Sequence, residues 1–224
     1  MDLYPSGETA NGKYRYWLRR AIEGGPADGK VLLMLACNPS KASLTRSDAT
    51  MDKMVKIARV RGGYREILVG NLWPFRTPHP QELKREAGKD PECELILGED
   101  NDEILQDMAM KADDILLAYG DIAVSGWNGR QANEKAKAHA ERVIQMLRHQ
   151  DRSKPLLALG LTRKGNPTHP GNRSFKAPFI FPWLDLAKAW RLEEKDEIGE
   201  VTTNADNEIG EVTTNADDEE FYCD

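Results

Sequence analysis

Between Lys30 and Lys41 the chain runs for ten residues without a charge, Val31-Leu32-Leu33-Met34-Leu35-Ala36-Cys37-Asn38-Pro39-Ser40, and the first seven are all apolar. A continuous apolar run stopped by a turn is the pattern of a strand buried on both faces, as in a parallel sheet covered by helices. Pro39 offers no N–H to a ladder and holds Asn38 in an extended or turn conformation, so the strand ends there. Asn38 is thereby set at the carboxyl end of a central strand, the edge at which open parallel sheets bind ligands.

Three further apolar runs repeat the pattern: Ile67 to Trp73, Asp114 to Gly120 and Pro155 to Gly160. Helical spacing separates them. Asp48 or Thr50 can cap a helix carrying Met51, Met54, Val55 and Ala58 and closed by Gly62-Gly63, and Asp100 or Asn101 one carrying Ile104, Leu105 and Met108. Asn133 can open a helix whose stripe is Ala136, Ala140, Val143, Ile144 and Leu147. Arg76 to Pro91, punctuated by prolines, reads as a long loop holding a short helix, and Trp183 to Leu192 as a last short helix. Residues 13 to 20, crowded with aromatics, read as an edge strand. Strands alternating with helices predict a three-layer α/β/α domain over residues 13–192 around a four-stranded, mainly parallel central sheet.

The net charge of −6 conceals a division. From Glu193 onward there are 13 acidic residues and one lysine, which leaves 30 basic and 24 acidic residues in 1–192. A mildly basic body suits an anionic partner such as DNA or a nucleotide. The tail, residues 193–224, holds an 11-residue repeat, Asp196 to Asp206 and again Asn207 to Asp217, and lacks the apolar content to fold, so disorder is expected there as in residues 1–12. It reads either as a solubilising appendage or as an acidic competitor for the body's anionic partner. No apolar stretch approaches membrane-spanning length and the first residues lack a signal-peptide pattern, so a cytoplasmic protein without membrane contact, and a possible monomer, is expected. Cys37, Cys93 and Cys223 are widely spaced and predict neither a disulfide framework nor a zinc site; no metal or other cofactor is expected. Phosphate-binding glycine motifs of P-loop and dinucleotide enzymes are absent.

Polar residues fall at the same end of all four strands: Asn38-Pro39-Ser40, Asn71, Gly120-Asp121, and the segment ending in His169-Pro170. In a parallel sheet these would line one crevice. Strand followed by Asn-Pro, strand followed by Asn, and a late His-Pro resembles the uracil-DNA glycosylase superfamily, particularly its mismatch-specific branch. Over roughly residues 13 to 190 the chain more closely resembles a bacterial and phage family known only as domain of unknown function 1643, through Asn38-Pro39-Ser40, Asn71-Leu72 with Arg76 to Pro80 following, and Gly165-Asn166-Pro167-Thr168-His169-Pro170.

The glycosylase resemblance implies a glycosylase-like fold and hydrolysis of an N-glycosidic bond. Asn38 would then position the water, Asn71 would read a pyrimidine edge, and His169 would stabilise the departing base. That reaction develops positive charge on the sugar and negative charge on the base, so it needs a held water and a donor at the base oxygen. Asn71 suits reading because an amide both donates and accepts. Ser40 and Trp73 stand beside these groups as base-binding candidates, Trp73, with Phe75 and Trp127, through stacking. Arg76, Arg163, Lys164 and Arg173 follow the same edge as candidates for phosphate contact.

The chain also departs from the glycosylase pattern. An amide at Asn38 cannot take a proton from water, which leaves Asp48 as the candidate base. No aromatic follows Pro39 to exclude larger pyrimidines, and Gly171 to Phe175 holds no clear apolar wedge for a flipped base, although Phe175 can substitute. A module that binds nucleic acid or a modified base without chemistry, or a hydrolase of free nucleosides or nucleotides, fits the same residues. Cys37 reads as apolar filler, His139 and His149 as surface residues and His79 as a loop residue.

Overall fold

The computed structural model describes residues 7, 12–43, 45–89, 94–127, 130–150, 154–171 and 183–186. The chain divides into two units, Met1–Leu192 and Glu193–Asp224. The acidic repeats and nearly all of residues 1–12 lie outside the described residues, so the expectation of disorder there does too.

Six strands form one mixed sheet: β1 (Trp17–Ala21), β2 (Lys30–Ala36), β3 (Tyr64–Asn71), β4 (Asp114–Leu117), β5 (Leu156–Ala158) and β6 (Leu184–Asp185), in the order β1-β3-β2-β4-β5-β6. The four apolar runs make its middle, β3-β2-β4-β5, and pair parallel throughout. The expected four-stranded sheet is therefore widened by an antiparallel strand at each edge, β1 on β3 and β6 on β5. The aromatic stretch does give the edge strand β1, with Tyr14 joined to Phe75 by a single bridge. Within the stretch expected as a helix from Trp183 to Leu192, Leu184–Asp185 pair with β5 instead, Leu186 is helical, and residues from 187 lie outside the described set. Two residues of strand carry no periodicity, so no sequence pattern could have announced β6.

Among the described residues five α-helices connect the strands: α1 (Ala49–Arg61), α2 (Pro80–Lys89), α3 (Glu94–Leu97), α4 (Asn101–Lys111) and α5 (Arg130–Gln150). They cover both faces of the sheet. Leu32, Met34 and Ala36 of β2 pack with Met51, Met54, Ile57 and Ala58 of α1, while Leu33 and Leu35 point the other way, into a cluster shared with α4 and α5. This alternation is the two-residue strand period meeting apolar neighbours on both sides, which is why the run has no polar positions. Asn133 does not open α5, which already begins at Arg130; its side chain instead brackets Trp127, accepting from the backbone N–H and donating to the carbonyl.

α1, leaving β2, and α5, leaving β4, lie on opposite faces of the sheet although the two strands are neighbours. Diverging connections cannot close over the strand ends between them. A crevice results at the carboxyl edge.

Candidate functional site

The crevice is a cleft of about 440 Å³, within the roughly 300–1,000 Å³ usual for small-molecule sites. Asn38, Ser40, Asp48, Asn71 and His169 all line it, so five of the sequence candidates from four separate segments meet there. Asp121, placed at this edge by the sequence but given no role, lines it too.

Hydrogen bonds beyond the regular ladder fix its walls. Leu72 and Trp73 donate their N–H groups to the carbonyls of Ala36 and Cys37 at 2.9 and 3.0 Å, which carries the β2–β3 pairing past the strand ends and sets Asn71 beside the Asn38 turn. The Asn38 amide donates to the Thr77 carbonyl at 2.9 Å and to that of Pro39 at 3.1 Å. Its nitrogen is thereby committed, and the oxygen remains as an acceptor that can hold a water but cannot deprotonate it.

Asn71 is 1% exposed, and its Nδ2 is buried with no hydrogen-bond partner. An orphaned buried donor costs about 1–3 kcal/mol. Such a group at the floor of a cleft is a site of unmet hydrogen bonding that a ligand acceptor can relieve.

His169 arrives through a hairpin-like turn. Thr168 donates to the Gly160 carbonyl and Gly120 to that of Pro167, both at 2.9 Å. Gly120 has φ +71°, and a Cβ there would stand 2.8 Å from the His169 Cβ, so only glycine permits this approach. The Gly171 N–H donates to His169 Nδ1 at 2.9 Å, which assigns the proton of the neutral ring to Nε2. Burial pushes this imidazole down to about 4, helped by the Lys53 ammonium and opposed by the Asp48 carboxylate. At neutral pH His169 is thus an uncharged N–H donor.

Asp48 is engaged as an anchor. One oxygen accepts from the N–H groups of Thr50 and Met51 at 3.1 and 2.9 Å, capping α1, and the other accepts from Ala42 at 3.0 Å. Three backbone donors on the carboxylate compete directly with any water it would activate. Asp121 is better placed to keep an oxygen free: its Oδ1 accepts from Thr162 Oγ1 at 2.6 Å and Asn166 Nδ2 at 2.7 Å, which leaves Oδ2.

Other candidates fall elsewhere. Trp73 is not a stacking platform in the cleft: it is 1% exposed, donates Nε1–H to the Ala123 carbonyl at 3.0 Å, and packs on Trp127 and His139 with ring centroids 4.9 and 4.3 Å apart. It lies past the end of β3, where the strand's alternation no longer sets side-chain direction, and its ring turns into the core. His139 is likewise no surface residue, since its Nε2 bonds the Leu72 carbonyl at 2.9 Å. Arg76 turns inward, donating to the carbonyls of Ser40 at 3.3 Å and Ala42 at 3.5 Å, and so shapes the loop. Arg163 and Lys164 are exposed on the turn after Thr162, and Arg173 and Phe175 lie outside the described residues. The Cys37 thiol is buried and burial pushes it up to about 12, which suits filler rather than a nucleophile. No described helix is long and apolar enough to cross a membrane.

The fold and cleft together define an α/β protein with a mixed six-stranded sheet and a polar ligand cleft over the ends of its parallel strands. The family described as "Protein of unknown function (DUF1643)" matches residues 15–171, and the chain belongs to it. No curated protein matches the chain.

Proposed function

We propose that this cleft receives a nucleobase and that the protein is a glycosylase-like enzyme hydrolysing the N-glycosidic bond of an altered or mismatched pyrimidine in DNA. The observation that carries the reading is Asn71, a residue lining the cleft whose Nδ2 is buried without a hydrogen-bond partner. A pyrimidine carbonyl is the acceptor it lacks. His169, held neutral with its proton on Nε2, then supplies a hydrogen bond to the base as negative charge develops there, and its neutrality persists through the physiological range. Asn38 holds the water through its oxygen. The proton of that water needs a carboxylate, and in this cleft the choice lies between Asp48, occupied by three N–H groups, and Asp121, with one oxygen uncommitted.

The tethered Asn38 amide and the occupied Asp48 also favour a second reading, a module that binds a base and does not cleave it. Single-turnover incubation with labelled DNA carrying uracil, hydroxymethyluracil or thymine opposite guanine separates the two. For an enzyme, alkali-labile sites form at the target base, and His169→Ala and Asn38→Ala each slow their formation at least about 100-fold. Tight, Asn71-dependent binding with no abasic sites in any substrate would make the protein a base-binding module, and binding unaffected by Asn71→Ala would overturn both.

A further inference from the structure

Beside the cleft, two lysines from distant segments converge on one turn. Lys84, half-buried one turn into α2, has its Nζ 2.8 Å from the position a Cβ on Gly126 would take, so the ammonium fits there because Gly126 has no side chain. Gly126 has φ +73°, a conformation in which other residues are strained. Lys164 donates from its Nζ to Ser125 Oγ at 3.3 Å.

Neither lysine forms an ion pair among the described residues, whereas Lys30 pairs with Asp114, Arg19 with Glu66 and Arg142 with Asp102. Burial holds Lys84 below the ordinary lysine value, and the Lys164 ammonium adds to this. The half-buried Lys84 and the exposed Lys164 are like charges near enough to repel, and a shared anion is what would offset that repulsion.

The corner adjoins the cleft on three counts. Asp121 and Ile122 line the cleft and Ser125–Gly126 follow them directly; Thr162 lines it and Lys164 is two residues on; Cys37 lines it and lies within electrostatic reach of Lys84. We propose that Lys84 and Lys164, meeting at the Ser125–Gly126 turn, bind a phosphate group of the nucleotide whose base enters the cleft. This rests on the nucleobase reading of the cleft and adds to it the position of the phosphate. Of the two lysines, only Lys164 was recognisable from its place after a strand end; Lys84 lies on a helix that the sequence gives no link to the edge.

The test is a salt titration of binding to a single-stranded oligonucleotide carrying one uracil, with Lys84→Gln, Lys164→Gln, the double variant and Asn71→Ala alongside. Each lysine variant is expected to weaken binding equally for every base at the target position. Each should also make the slope of log affinity against log salt shallower by about 0.7. Lys84→Arg should restore the slope, which a mere loss of packing would not explain. Asn71→Ala should leave the slope alone and abolish discrimination between bases. An unchanged slope in the double variant, with base discrimination intact, would overturn the phosphate site and leave the base reading standing. A changed slope with no base discrimination in the native chain would do the reverse. Deoxyuridine monophosphate and deoxyuridine form the second arm. Stronger binding of the monophosphate, lost in the double variant, assigns the site to a nucleotide's own phosphate, and equal binding of the two assigns it to the strand backbone.

Discussion

Asn71 bears most on function because its side chain has been desolvated without being satisfied. Replacing it with alanine removes an orphaned donor, so the expected result is unchanged or slightly higher stability, by up to about 1 kcal/mol, together with loss of ligand discrimination worth about 1–3 kcal/mol. Urea unfolding and oligonucleotide binding on the same variant check both halves. His169 makes a second prediction. Unfolded, its imidazole takes up a proton near pH 6.5, whereas folded it resists protonation down to about 4. The unfolded chain therefore binds more protons in that window, so stability is full above pH 6.5 and is lost as pH falls toward 4. His139, lowered chiefly by its own burial, acts in the same direction. Urea midpoints at pH 7, 5 and 4 should fall less steeply in His169→Gln than in the native chain. Asn71 is legible in the sequence because it ends an apolar strand, and His169 because its His-Pro closes the polar segment after the fourth apolar run. Trp73 packs in the core instead of the cleft, because a place just past a strand end does not say which way a side chain turns.

α1 shows how a single residue serves both an element and the site. Asp48 ends the loop from Ser40, caps the helix and faces His169, so its substitution mixes three effects. Asp48→Ala should cost about 2 kcal/mol, from the cap and the bond to Ala42 together. Asp48→Asn keeps a capping oxygen but sets an NH2 group against the Ala42 N–H, so it should cost about 1 kcal/mol. Any turnover that survives in the asparagine variant then belongs to another base, and Asp121→Asn identifies it. The cap itself was legible, because Asp48 precedes Met51, Met54 and Ala58 at helical spacing. Its bond to Ala42 was not, since nothing in local sequence says where the second oxygen points. The start of α5 was missed for a related reason: Asn133 is a good cap by type, and here it serves Trp127 instead.

For the whole molecule, the charge pattern and the topology argue together. The parallel middle of the sheet could be read from four unbroken apolar runs, because a strand covered on both faces has no polar position to lose. The antiparallel edge β6 left no such trace, being two residues long. The crevice follows from connections that diverge from neighbouring strands, and strand order is set by long-range pairing that no local pattern records. Around it lies a body with six more basic than acidic residues, followed by a tail of opposite sign. If that tail only solubilises the chain, removal of residues 193–224 leaves DNA affinity at low salt within about twofold. Tightening of tenfold or more that disappears at high salt would identify it as a competitor for the basic body.

The central claim is that a base is held by Asn71 and His169, and side-chain NMR addresses it most directly. In a ¹⁵N-labelled chain titrated with uracil-containing oligonucleotide, the Asn71 amide pair and the His169 ring nitrogens should shift together and saturate at the same ligand concentration. Saturable binding that leaves both side chains unmoved would contradict the account, whatever else in the molecule responded.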